Sequence, residues 1–426
     1  MDQFAIPGIT VKNHKFRVPL DHHKPAGETI QVFAREVVAV SKSKQDLPWL
    51  VFFQGGPGFE GNAPTGKSGW LKPALKEFRV LILDQRGTGQ SQPFDLSLVK
   101  DFTDDQSMAD YLCLFRADQI VKDAEWIRKE MAIDQWSLLG QSYGGFCIYT
   151  YLSFHSDAVR EAMLTGGIPP VGQTPEQVYR ATHQRMLVRN QDYFRRYPGD
   201  RNLCQKIVTC LQENEVALPC GARLTPQRFQ QLGLLLGGSG GMETVHYLLE
   251  QAFPDERFIE PSFRFLQHIE TATDQYQTNP FYAILHESIY CEGQASQWAA
   301  WQVQSSFPQF DALASDEFHF TGEVIYPFMF DQYPGLQSLK GAAEILAKRS
   351  DWPELYDVEA LKKSQVPCAA AVYEHDIYVE REFSLASAKL IENMRVWTTS
   401  EYEHNGLRVD PGRIFTRLLN MNRGEI

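Results

Sequence analysis

The sequence predicts an α/β architecture, a mostly parallel, doubly wound sheet carrying a helical insertion. Three observations predict it. Short, mostly apolar runs, Leu47 to Phe53, Phe78 to Leu83 and Trp136 to Leu139, have the composition of strands buried on both faces. An amphipathic helical pattern, Ile120, Val121, Ala124, Ile127 and Met131, lies between two of them. A long stretch poor in β-branched runs then separates these strands from two further ones near the C-terminus.

The elements follow in chain order. Lys15 to Pro19 and Ile30 to Val40 flank turn residues Asp21 to Gly27 and read as an antiparallel hairpin at a sheet edge. The strand Leu47 to Phe53 stops at Gln54-Gly55-Gly56-Pro57-Gly58, a glycine-rich loop with backbone N–H groups free to face a ligand. Phe78 to Leu83 ends in Asp84-Gln85-Arg86-Gly87-Thr88-Gly89-Gln90-Ser91, a polar turn whose Arg and Asp are suited to pinning neighbouring loops, a structural role. The helix Asp118 to Met131, the strand Trp136 to Leu139, a following helix and the strand Ala162 to Thr165 complete a first block. From Pro170 to Leu346 helical patterns dominate, as in Glu176 to Tyr197, Met242 to Phe253 and Phe263 to Tyr276. Strands return at Val366 to Tyr373 and Arg395 to Thr399, with helices at Glu382 to Asn393 and Pro411 to Met421. The expected organisation is therefore a core of residues 1–169 and 347–426, with residues 170–346 as a helical cap.

Composition narrows the function classes. With 43% apolar and 12% aromatic residues, the 426-residue chain can bury a sizeable core. A net charge of −12 without any basic run argues against nucleic acid. The N-terminal residues do not read as a secretory signal, and no apolar stretch reaches membrane-spanning length, so a cytoplasmic protein with no membrane partner is expected. Seven scattered cysteines, with no C-x-x-C pair or histidine cluster, point to no metal site. Cys204, Cys210 and Cys220 form the one grouping close enough in sequence to consider a disulfide.

The chemistry is carried by Gly140-Gln141-Ser142-Tyr143-Gly144. A G-x-S-x-G run between an apolar strand and a helix is the nucleophile elbow of an α/β-hydrolase fold. A serine hydroxyl is a weak nucleophile, so it is presented on a tight turn at a helix N-terminus beside a base. Its partners are expected just past later strands. Asp376 follows Val366 to Tyr373, and His404 follows Arg395 to Thr399, giving the chain order Ser, Asp, His of that fold. His375 competes for the base, and Asp351 and Asp357 for the acid, but each sits less well relative to a strand. The oxyanion donors are expected to be the N–H of Tyr143 and, since Pro57 has none, an N–H of Gly55 or Gly56, with Gly56 favoured.

At GGPGF 55–59, DQRGTGQS 84–91, GQSYGGF 140–146, YEHDIYV 373–379 and EHNGLR 403–408 the sequence resembles the prolyl aminopeptidases, or proline iminopeptidases, and most of all their longer bacterial branch. LHESIYCEG 285–293 and FTGEVIYPFMFDQYPGL 320–336 are similar too, so the resemblance covers nearly the whole chain. It implies release of N-terminal proline from peptides by a serine peptidase without metal or cofactor. Two positions depart from the shorter members: Gln54 stands where they have His, and Tyr143 where Trp is typical. The oligomeric state leaves no trace in the sequence.

An exopeptidase of this kind needs a carboxylate for the cationic N-terminus and an apolar slot for the ring. Glu287 ranks first as that anchor, then Glu292 and Glu323, with Glu243 below them; Tyr143 and Phe146 are expected as apolar walls. A di- or tripeptidyl aminopeptidase, or an esterase or amidase that ignores the amine, is the competing reading.

Overall fold

Alternation along the strands sorts the core into two layers. In the computed structural model, which describes residues 2–313, 315 and 317–426, Val51, Phe53, Leu81, Leu83 and Leu138 face one apolar cluster. Leu50, Phe52, Val80, Ile82 and Leu139 face the other. Period-two burial on both faces is what a central sheet between helices requires.

The strands are β1 (Gln3–Ile6), β2 (Ile9–Pro19), β3 (Thr29–Ala39), β4 (Trp49–Phe53), β5 (Arg79–Asp84), β6 (Trp136–Gln141), β7 (Val159–Thr165), β8 (Cys368–Tyr373) and β9 (Met394–Thr399). They form one sheet in the order β1-β2-β3-β5-β4-β6-β7-β8-β9. β1, β2 and β3 pair antiparallel at one edge, β3 pairs antiparallel with β5, and every pairing from β5 to β9 is parallel. The hairpin expected from the sequence is thus present and longer. Its polar stretch Lys12 to Lys15, exposed or half-buried throughout, stays in register opposite Glu36 to Phe33.

The helices Ala117–Glu130 and Tyr143–His155 cover the first face, and Pro411–Arg423 covers the second. The helix expected over Glu382 to Asn393 is shorter, Arg381–Ala388. Between β7 and β8 the described residues hold no strand beyond a single Ala217–Arg223 bridge; helices such as Pro175–Arg196, Gly199–Glu213 and Phe263–Thr273 fill the stretch. Its apolar residues, among them Tyr179, Leu232, Phe281 and Tyr326, join the same cluster as the first sheet face. Among the described residues no helix is long and apolar enough to cross a membrane. All seven cysteines are free thiols, including the grouped Cys204, Cys210 and Cys220.

The polar turn after β5 does the work its composition indicates. Arg86, 1% exposed, grips Asp123 with Nε and Nη2 at 2.7 and 2.5 Å and donates to the carbonyls of Pro19, Leu20 and Leu114. Asp84 accepts from the N–H groups of Gly61 and Gln90. The turn after β2, the segment at Leu114, the helix Ala117–Glu130 and the loop after β4 are thereby tied to the turn that ends β5.

Candidate active site

Ser142 lies at the break between β6 and its helix with φ 54° and ψ −125°, a conformation a non-glycine residue adopts only when its surroundings hold it there. The flanking glycines allow that closeness. A Cβ on Gly140 would meet the Gly144 carbonyl oxygen at 2.5 Å, and one on Gly144 would meet the Phe53 carbonyl oxygen at 2.1 Å. A side chain at either position would push the turn apart.

The loops after β8 and β9 bring the other two groups together. His404 Nδ1 lies 2.7 Å from Asp376 Oδ2. The other carboxylate oxygen accepts the N–H groups of Tyr378 and Val379 at 2.8 and 3.0 Å, so Asp376 is held from both sides. An ionised carboxylate only accepts, so Nδ1 carries the proton and Nε2 is left as the basic nitrogen. The edge of Tyr378 packs on the imidazole at 4.8 Å, and Gly237 accepts the His404 N–H at 3.2 Å. Burial disfavours an imidazolium here, but the Asp376 charge and hydrogen bond, with a smaller contribution from Glu323, outweigh it and raise the His404 pKa above the usual 6.5.

Ser142 and His404 line one cavity of about 290 Å³ at the carboxyl ends of the parallel strands, with Gln54, Gly55 and Gly56 on one side. The Gly55 N–H is taken by the Gln54 side chain at 3.1 Å, which leaves that of Gly56 for a ligand. Tyr143 offers its N–H from the first turn of the helix, while its side chain is buried away from the cavity.

The carboxylates expected as amine anchors separate sharply. Glu323 lines the cavity; Glu287 and Glu292 do not. The side chain of Glu287 is turned to another part of the insertion, accepting the N–H groups of Ala299 and Ala300 at 3.2 and 2.9 Å. Burial raises its pKa to about 7. Glu292 accepts the N–H groups of Leu355 and Tyr356 at 2.7 and 3.0 Å. Glu243 is paired with Arg196 beside a neighbouring groove. Glu287 is therefore a correction: an acid among aromatic residues in sequence ends as the cap of a helix in space. Phe146 is a second one. It packs against Tyr143 and Tyr290 behind the cavity, and the apolar walls are Phe59, Leu234, Leu235, Tyr282 and Tyr378. The competing residues stand apart, with His375 exposed, Asp351 paired with Arg349 and Asp357 capping a helix.

Glu323 has partners that do not cancel its charge. Tyr282 donates its hydroxyl to Oε1 at 2.5 Å, and His286 Nε2 lies 3.9 Å from Oε2. Burial lowers the His286 pKa, so this ring is neutral near pH 7, and burial keeps the Tyr282 hydroxyl protonated. No Lys or Arg among the described residues pairs with Glu323. Neither Tyr282 nor His286 stands out in the sequence, since each is one aromatic among many in the insertion.

A serine on a strand-to-helix elbow, beside a histidine–carboxylate pair at the open ends of a mostly parallel sheet, defines an α/β hydrolase, and a profile of the α/β hydrolase fold family matches residues 48–255. The chain belongs to the proline iminopeptidase family within that fold. It is 48% identical to a proline iminopeptidase of Aeromonas sobria over 99% of this chain and 98% of the relative. It is 34% identical to the proline iminopeptidase aneH of Aspergillus aculeatus over 100% of this chain and 97% of the relative. A Neisseria gonorrhoeae proline iminopeptidase is 30% identical, over 28% of this chain and 32% of its own length.

Proposed function

We propose that the chain is a serine aminopeptidase releasing N-terminal proline from short peptides through an acyl-enzyme. The observation that carries this reading is Glu323, a carboxylate with no Lys or Arg paired to it among the described residues, in the same cavity as Ser142 and His404. Its charge complements the secondary ammonium of an N-terminal proline, and Phe59, Tyr282 and Tyr378 offer an apolar slot for the ring.

In this mechanism His404 Nε2 takes the Ser142 proton as Oγ attacks the prolyl carbonyl, while Asp376 steadies the imidazolium through Nδ1. The N–H groups of Gly56 and Tyr143 receive the negative charge that develops on the carbonyl oxygen. The imidazolium then protonates the leaving amine. Water attacks the prolyl-serine ester by the same route and frees proline and Ser142. Every proton is handled by the chain's own groups.

In this reading residues 170–346 act as a cap that presents Glu323 and Tyr282 to the core formed by 1–169 and 347–426. A cytoplasmic location accords with seven free thiols.

The test compares prolyl anilide with N-acetylprolyl anilide on wild type and Ser142→Ala. Fast release from the free amine alone, lost in Ser142→Ala, is the expected result. Equal release from both substrates would make the protein an amidase that ignores the amine, and activity retained in Ser142→Ala would remove the serine mechanism.

A further inference from the structure

Glu323 is not the cavity's only charged wall. Arg408, in the short helix Gly406–Val409 that follows His404, lines the same cavity and is exposed. Other basic residues of this C-terminal segment are engaged: Arg413 with Glu401, Arg423 with Glu77, and Arg417 stacked on Trp397 at 4.4 Å. Arg408 has no ion-pair partner among the described residues. Its backbone is fixed all the same, because its N–H donates to Asn405 at 2.8 Å and the Asn405 side chain accepts the Ser239 N–H at 2.9 Å.

The two charges differ in burial. The Glu323 side chain is 17% exposed, whereas Arg408 lies open to water. The cavity wall therefore carries a largely buried acid and a solvent-open base, both acting on His404, with Ser142 lining it too. A zwitterionic dipeptide carries the complementary pair of charges, its ammonium and carboxylate separated by roughly 7 Å of extended chain with the scissile carbonyl between them. At about 290 Å³ the space is at the small end for a ligand site.

We propose that Arg408 binds the carboxylate of the residue that leaves, so that the site is built for dipeptides with N-terminal proline and a free C-terminus. This rests on the aminopeptidase reading and assigns the far end of the substrate. A guanidinium presents paired N–H donors to a carboxylate, and an amide or a longer chain does not return that charge. The gain is modest, because the pair is exposed to solvent and screened by salt.

The full-length protein is assayed on Pro-Ala, Pro-Ala amide and Pro-Glu amide, as wild type, Arg408→Gln and Arg408→Lys. Wild type is expected to favour Pro-Ala over its amide about two- to five-fold in kcat/KM, mostly through KM, with the preference shrinking at high salt. Arg408→Gln should bring that ratio to about half of the wild-type value or lower, and Arg408→Lys should restore part of it. Comparing ratios between proteins cancels the intrinsic reactivity of acid and amide. An unchanged ratio in Arg408→Gln, or no preference in wild type, overturns the proposal. A preference for Pro-Glu amide equal to that for Pro-Ala would assign Arg408 to an acidic side chain and overturn the dipeptide reading. Failure of wild type on prolyl anilide would instead strike the aminopeptidase reading itself.

Discussion

Asp376 makes three hydrogen bonds with its two oxygens, two of them to backbone N–H groups and the third to His404. Asp376→Asn preserves the shape but places an amide where Nδ1–H needs an acceptor, and the wrong tautomer follows. We expect kcat to fall roughly ten-thousand-fold, the scale of the same exchange in a serine protease triad, with thermal unfolding little changed. Glu323 bears on the same histidine. Activity needs neutral His404, so kcat/KM should fall as pH drops through a His404 pKa raised above 6.5. Glu323→Gln removes one of the charges that raise it, so the acid limb should move to lower pH, while prolyl substrates lose about ten- to hundred-fold in kcat/KM and a neutral ester is spared. A pH profile on both substrates checks this; an unmoved limb with equal loss on both would make Glu323 structural. At this scale Ser142, Asp376 and His404 were legible because each follows a strand at a position the fold dictates. The proposed anchor was not, because Glu287, Glu292 and Glu323 all sit among apolar neighbours and only the folded path separates them.

Helix starts explain where the displaced carboxylates went. The helix Ala299–Gln304 begins after Gln297 and Trp298, both at positive φ (51° and 58°), and neither residue supplies a capping side chain. Glu287 supplies it from twelve residues upstream, holding the Ala299 and Ala300 N–H groups. No local pattern marks such a cap, which is why sequence spacing could not assign Glu287. Its burial has a thermodynamic signature. With a folded pKa of about 7 against an ordinary 4.5, the protonated form is favoured in the folded state. Its contribution to stability is complete below about pH 4.5 and is lost as pH rises through about 7, an effect of about 3 kcal/mol. Glu287→Gln should flatten that part of the pH dependence, measured as urea midpoints at pH 5 and pH 8, and leave the acid limb of activity in place. By contrast, the elbow, the hairpin and the parallel strands were legible as elements, since buried strands and glycine turns leave short-range marks.

Between distant parts of the molecule the ties are buried and polar. Arg116, 0% exposed, opens the helix Ala117–Glu130 and reaches across to the carbonyls of Ser288, Cys291 and Pro353 at 3.0, 2.5 and 2.6 Å, while Nε pairs with Asp118 at 3.1 Å. Its guanidinium also lies 4.8 Å from the Trp352 ring. Arg116→Met would strand several buried acceptors at once, and we expect a loss of about 3 to 5 kcal/mol by denaturant unfolding. An insertion that docked only through apolar contact would lose far less. Such ties span 172 to 237 residues of sequence, so no window of the chain could have revealed them.

The His404 loop is held by the insertion as well as by the sheet. Gly237 accepts the His404 N–H, Asn405 accepts the Ser239 N–H, and the Tyr378 hydroxyl donates to Leu234. The segment that lines the cavity through Leu234, Leu235, Gly237 and Gly238 is thus the one that holds the proposed general base. Were this segment to lift to admit or discharge a peptide, the same movement would free the His404 loop, an interlock that would confine proton transfer to the shut form. The His404 amide proton keeps the record: its exchange with solvent deuterium counts the openings, and a bound peptide should slow that count.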